Sequence, residues 1–345
     1  MSNPGMSNPV MSNPGMADHA FPYLRLRLTV RPLDGPSRDL PSHALPPTRL
    51  RRVLGKALID LFCPFGRPRC QDWPKLQGRS GPSKAHELCP QAKQCAYGVL
   101  FAASTNRRPP FALYVRPPRS NRRELQAEIT LFNDAWQFYP WALRGLDRAL
   151  DVGVGKERQR WGIVEVVQLQ SGRPPKRLCR GEVTQLPTDV QPSTIPLTRG
   201  ALLDSFETRR ESAQGVELLS PTRFIHDGRI LFGGTPVPFQ ILIARTLDRL
   251  RNLYGDSTAQ LLPSDLLPLL DTEAKKVPIV EARTRWVEQK DYSARFRNEL
   301  KLGGKVGNLV YGRGAGRFLP ILKAGEILHV GKNVTSGCGR IAVAG

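Results

Sequence analysis

Between residues 24 and 31 the chain alternates strictly: Leu24, Leu26, Leu28 and Val30 are apolar, while Arg25, Arg27, Thr29 and Arg31 are polar. A period of two marks a strand with one buried face, here with a basic opposite face. The period then changes. Leu50, Val53, Leu54, Ala57, Leu58 and Leu61 recur at helical spacing over 48–62, with Thr48 placed to cap the first turn. Strands are predicted at 97–102, 110–116 and 125–132, then a helix over 134–150 carrying Trp136, Tyr139, Leu143, Leu146 and Leu150, then a strand at 161–169. Strand-helix-strand-strand-helix-strand, with one strand to spare, is close to the ferredoxin-like split βαβ plan.

The second half repeats the theme. A strand near 215–219, a hairpin over 223–233, a long helix over 237–254, strands around 285–297 and 305–312 and a last strand at 341–344 are predicted, with Ile327-Leu328 reading as a strand-like run before a Gly-rich loop. The fold class expected is α+β, two tandem ferredoxin-like units with a C-terminal Gly-rich loop. Residues 1–19, a pentapeptide repeated three times, are set aside as a disordered tail. The first unit is then 20–194, with a cysteine-rich insertion at 63–95, and the second is 195–345. Between them, 171–200 is rich in proline and small polar residues, as a linker or long connection is.

Charge narrows the function. The 345 residues hold 51 lysines and arginines against 30 acids, a net charge of +21. An excess spread over the whole chain is the footprint of a protein that rides on a polyanion, with nucleic acid the default partner and a merely solvated basic surface the bland alternative. No run approaches the ~18 apolar residues of a membrane span, and no leader pattern opens the chain, so a cytoplasmic protein without a membrane partner is expected.

The tail sharpens this. Gly331, Gly337 and Gly339 lie among Thr335, Ser336, Lys332 and Arg340. Glycine lets backbone amides approach an anion, and the two cations supply charge that a phosphodiester neutralises; a plain turn is the competing reading. The cysteines pose a separate question. Cys63, Cys70, Cys89 and Cys95 fall within one Pro- and Gly-rich insertion, whereas Cys179 and Cys338 stand alone. Four grouped thiols in a reducing compartment read better as a candidate structural zinc site than as two disulfides, although their spacings exceed those of ordinary zinc ligand pairs.

An ordered set of short motifs runs from residue 22 to 342. It comprises Leu40-Pro41-Ser42-His43, Leu50-Arg51-Arg52-Val53-Leu54-Gly55 and Leu61-Phe62-Cys63, then Cys95-Ala96-Tyr97-Gly98 with Phe101, and Gly153-Val154-Gly155. Leu219-Ser220-Pro221-Thr222-Arg223, Tyr292-Ser293-Ala294-Arg295, Leu302-Gly303-Gly304 with Gly307, and the His329-Val330-Gly331-Lys332 tail complete it. In this order they resemble the CRISPR-associated endoribonucleases that process precursor guide RNA, members of the RAMP superfamily.

The resemblance implies a tandem RAMP fold that binds CRISPR repeat RNA and cuts precursor guide RNA once per repeat without a metal cofactor. The RNA's own 2′-hydroxyl attacks phosphorus, leaving a 2′,3′-cyclic phosphate and a 5′-hydroxyl. Such a reaction needs proton transfer at two oxygens and cations at the phosphorane. Histidine suits the first task, and the family commonly places one near His43. Arg52 and Lys56, four residues apart and so on one helical face, are the candidate catalytic cations. Arg51 points about 100° away from Arg52. It joins Arg295, Gly331, Lys332, Gly337, Gly339 and Arg340 as candidate RNA contacts. Base readout would fall to the basic stretches 106–108 and 119–123. His226 reads as a turn residue beside Asp227, and His329 as part of the loop framework, structural or RNA-contacting and not the base. Two other classes stay open: a non-catalytic RAMP subunit that binds guide RNA within a complex of other Cas effector subunits, and an unrelated basic RNA-binding protein with a zinc knob.

Overall fold

A computed structural model of the chain describes residues 21–34, 45–63, 91, 94–101, 108–117, 124–155, 157–181, 183, 185–208, 211–293 and 298–344. The N-terminal repeats, most of the cysteine-rich insertion and the stretch 119–123 lie outside these.

The alternating segment forms β1 (Pro22–Pro32), and Leu24, Leu26, Leu28 and Val30 all reach the first core. Helix α1 (Pro47–Phe62) follows; Leu50, Leu54, Ala57 and Leu58 are buried, while Arg52 and Lys56 face out. Its start differs from expectation. Pro46 is the N-cap residue and Pro47 opens the helix, its fixed φ preorganised for the first turn, so Thr48 already sits inside and caps nothing. Helix α2 (Ala96–Phe101) replaces the strand expected at 97–102. A six-residue apolar run carries too few turns to distinguish the two periods. Packing decides: Phe101 lies against Gly55 of α1, where an added Cβ would come within 3.1 Å of the ring.

The plan then runs as read: β2 (Phe111–Arg116), β3 (Leu125–Phe132), a 3-10 turn, α3 (Tyr139–Val152) and β4 (Trp161–Leu169). α3 crosses α1 closely because position 145 is glycine; a Cβ there would lie 2.9 Å from Leu58. The sheet order β2-β3-β1-β4, all antiparallel, is the ferredoxin-like arrangement. The Pro-rich stretch is not a free linker. It supplies β5 (Lys176–Arg180), paired to β4, and β6 (Ser193–Thr194), paired to β1.

After α4 (Arg199–Glu207) the second sheet is built from β7 (Gln214–Thr222), β10 (Ile279–Val287), β13 (Gly304–Tyr311) and β14 (Ile341–Val343), in the order β10-β13-β7-β14. The same plan recurs, with α5 (Phe239–Tyr254) and α7 (Leu319–Leu328) as its two helices. The Ile327-Leu328 run therefore ends a helix and does not form a strand. Two hairpins are inserted, β8–β9 (Ile225–His226 and Arg229–Ile230) and β11–β12 (Lys290–Ser293 and Asn298–Lys301), together with α6 (Leu266–Lys275). The second hairpin interrupts the single strand expected over 285–297.

The two sheets are joined by more than chain. Phe21, Tyr23, Ala112 and Phe132 of the first sheet region belong to the second core, and Phe21 meets Tyr254 edge-on at 5.0 Å. Hence the polar face of β1 is not an open basic surface. Arg25 binds the carboxylate of Glu128 on β3 at 2.5 Å, both largely covered. Arg249 of α5 is fully enclosed at the seam; it donates to the carbonyls of Phe111 and Leu328, and its guanidinium lies 5.7 Å from the Phe132 ring centre. Burial lowers its pKa to about 9.

Removing that side chain strips two enclosed carbonyls of a donor and opens a void, costs that outweigh relief of a desolvated charge. Arg249→Ala is expected to lower unfolding free energy by about 2–4 kcal/mol, read from the urea midpoint. Arg249→Met, which refills the space, should recover part of the loss.

Candidate RNA-processing site

The Gly-rich loop, 329–340, lies between α7 and β14 and meets α1 of the first unit. Gly337 (φ +90°) packs directly on the Pro47 ring at the start of α1, leaving no room for a Cβ. One turn along, Arg51 Nε donates to Thr335 Oγ1 at 3.2 Å, and its guanidinium sits 5.3 Å from the Phe101 ring centre. Partial burial there lowers the pKa of Arg51.

Adjacent positions on α1 diverge as helical geometry requires. Arg52 turns away from the loop, reaching Asp291 of the β11–β12 hairpin at 2.9 Å. Lys56, on the same exposed face, has no ion pair among the described residues. α1 is thus gripped on two sides by the second unit, by the loop through Arg51 and by the hairpin through Arg52.

The loop's glycines are dictated by crowding and by backbone hand. Gly331 (φ +85°) would put a Cβ 2.6 Å from the carbonyl of Arg223, and Gly339 (φ +79°) would strike the carbonyl of Val330. Its amides are largely committed. Those of Val330, Lys332, Ser336, Gly337, Cys338 and Gly339 donate to backbone carbonyls, and that of Arg340 to Ser220 Oγ. A wholesale amide cradle for phosphate is therefore not what this loop offers. Lys332 is exposed.

Arg340 does not. It turns inward, 8% exposed, donating to the carbonyls of Glu326 and Ile341 and lying 3.9 Å from Glu128. The reason is electrostatic: Glu128 is enclosed between the sheets, and a desolvated carboxylate requires cations nearby. Beside this group His329 is buried with φ +60°, its Nδ1 without a hydrogen-bond partner. Burial, and then Arg340, Arg25 and Arg249, hold its pKa well below the usual histidine value. Of its two expected roles, burial leaves it the structural one. Cys338 is likewise enclosed, its Sγ 3.7 Å from the carbonyl of Leu302, and burial pushes its pKa up to about 12.

His43 and Arg295 lie outside the described residues, as do Cys70 and Cys89. Cys63 and Cys95 stand where the chain leaves α1 and enters α2. Among the described residues no group of three or more metal-ligating side chains forms, so nothing there supports the zinc expectation. His226 occupies the β8–β9 tip, 3.5 Å from Asp227, as a turn residue.

One element escaped the sequence reading. An open cleft of about 720 Å³ separates β2 from the face of the second sheet, lined by Arg116, Arg283, Arg285, Tyr114 and Glu217. Arg283 and Arg285 stand two apart on a strand and so share a face, a signal present in the sequence. The partner wall from β2 was not.

Residues 216–341 match the family model of the CRISPR-associated endoribonuclease Cas6. A model described as an N-terminal domain matches 21–190. Among solved structures, a Cas6 (TTHB231) product complex aligns over 94% of this chain and 100% of its own at 15% identity, with a TM-score of 0.50. The Thermus thermophilus Cas6 (TTHB231) structure aligns over 94% and 99% at 14% identity, with a TM-score of 0.49. The first of these likenesses supports the fold. No curated protein matches the chain in sequence.

Two measurements test this geometry. Gly337→Ala combines a left-handed backbone with collision against Pro47 and is expected to cost about 2–4 kcal/mol; Gly172→Ala has a similar backbone hand but open space around it and should cost only about 1. Protonating His329 is opposed in the folded protein and free in the unfolded chain. Stability is therefore level above the unfolded pKa near 6.5 and falls as pH drops below it, by up to about 1.4 kcal/mol per pH unit. Urea titrations from pH 7.5 to 5 should show a shallower fall for His329→Gln than for the wild type.

Proposed function

We propose that the chain is a CRISPR-associated endoribonuclease of the Cas6 type, which cuts precursor guide RNA within each repeat, without a metal, by attack of the 2′-hydroxyl on the adjacent phosphorus. The products are a 2′,3′-cyclic phosphate and a 5′-hydroxyl. The observation carrying this reading is the docking of α1 onto the Gly-rich loop, because it gathers residues 284 positions apart, roughly 970 Å of extended chain at about 3.4 Å per residue, into one basic locality.

His43 precedes that junction in sequence: the described chain resumes at Leu45 and enters α1 at Pro47, the residue seated on Gly337. In the proposed mechanism its imidazole exchanges a proton with the 2′-oxygen or the leaving 5′-oxygen. Exposed Arg52 and Lys56 stabilise the extra negative charge on the phosphorane. Arg51, Arg295 and Lys332 hold backbone phosphates. Gly331, Gly337 and Gly339 serve by letting the loop close on α1, and Arg340 by anchoring the loop from within. Arg116, Arg283 and Arg285 extend the basic path along the cleft, binding phosphates without reading bases.

With repeat RNA as substrate, His43→Ala is expected to slow cleavage by about 10²–10⁴-fold while leaving RNA affinity within about twofold. EDTA should leave the wild-type rate unchanged, and the 3′ ends should carry the cyclic phosphate. Undiminished cleavage by His43→Ala would remove that residue from the mechanism; binding without cleavage by the wild type would favour a non-catalytic guide-RNA subunit.

A further inference from the structure

At the same end of the second sheet stands an aromatic pair that the cleavage reaction does not use. Phe232 is 53% exposed, unusually open for so large a ring, and its centroid lies 4.5 Å from that of Trp286 at a 43° tilt. The Arg223 guanidinium lies 5.9 Å from the Trp286 ring centre and donates to the carbonyl of Gly303. Trp286 Nε1 is fixed on Glu288 at 2.5 Å.

The short segment that carries Phe232 is held firmly. Leu231 N donates to the carbonyl of Phe224 and Thr235 N to that of Phe232, closing a turn. Lys305, with no exposed surface, spends its ammonium on the carbonyl of Gly233, and burial lowers its pKa. Desolvating a lysine is a costly way to tether one surface turn. What the tether achieves is to hold a phenyl ring open to solvent: beyond it, a Cβ on Gly233 or Gly234 would touch nothing within 4 Å.

The pair also adjoins the candidate RNA site. The carbonyl of Arg223 receives the amide of Lys332 at 3.4 Å and abuts Gly331, so one residue links the Gly-rich loop to the aromatic rings. Exposed aromatic faces set among fixed cations are how proteins hold unpaired bases, since every base has a face that stacks.

We propose that Phe232, backed by Trp286 and flanked by Arg223, is a stacking platform for an unpaired RNA base next to the phosphates gripped by the Gly-rich loop. This rests on the RNA-binding part of the function proposed above, not on its cleavage chemistry. The ligand class is single-stranded RNA, recognised by base stacking with little sequence preference.

The test uses the full-length protein and a single-stranded RNA of about ten nucleotides carrying one 2-aminopurine and a 2′-O-methyl group on every sugar, so that no free 2′-hydroxyl can attack and no cleavage intervenes. Stacking of the probe base on the platform quenches its fluorescence. The wild type is expected to quench it; Phe232→Ala should bind about tenfold more weakly and lose the quench, and Phe232→Tyr should restore both. Equal affinity and quench for wild type and Phe232→Ala overturn the platform, whatever the protein does to repeat RNA. A wild type that quenches the probe through Phe232 yet leaves an all-ribose repeat intact sustains the platform and sinks the nuclease.

Discussion

Gly337 resting on Pro47 is the contact through which the rest of the site exists. A loop of the second unit closes on the first turn of a helix in the first, and only a residue without a Cβ permits the approach. Once it is made, Arg51 can reach Thr335, Arg52 can reach Asp291, and the start of α1 is fixed relative to Lys332. Two domains that each fold on their own plan thereby share a surface that neither possesses alone.

That seam is also where the protein stores charge away from water. Glu128 on the first sheet faces Arg25 from its own sheet and Arg340 from the second unit, while Arg249 is clasped by carbonyls from both. Enclosed ions contribute little net stability, because desolvation offsets most of the attraction, yet they tolerate few alternative arrangements. The consequence is specificity of docking. A chain with a charge of +21 commits some cations inward, where they define geometry, and leaves others such as Arg285 and Lys332 outward. His329 completes the knot, since burial, and then three neighbouring guanidiniums, disfavour a further positive charge there.

Much of this was legible in the sequence. The alternation of β1 and the stripe of α1 were each long enough to reveal their period, and β2, β3 and β4 followed within a residue or two. Short or atypical elements were not. Ala96–Phe101 is apolar over barely two turns, so strand and helix fit it alike. β5, Lys-Arg-Leu-Cys-Arg, hides its one buried leucine among charges and read as linker. Ile327-Leu328 looked like a strand because α7 is apolar almost all round, buried against α5 and β14, and so shows no polar face to betray a helical period. The aromatic platform was invisible for another reason: Phe232 and Trp286 are far apart in sequence and carry no shared motif.

By itself the sequence determined the local matters: which segments alternate, which wind, where glycine must stand, and that the chain carries a large positive charge. These follow from neighbours a few residues apart, whose periodicity and sterics act without regard to the rest of the fold. Only the tertiary structure decided which cations face outward. Arg340 and Lys332 sit in one loop with the same chemistry on paper, and they part company because a buried carboxylate from another sheet lies beside one and water beside the other.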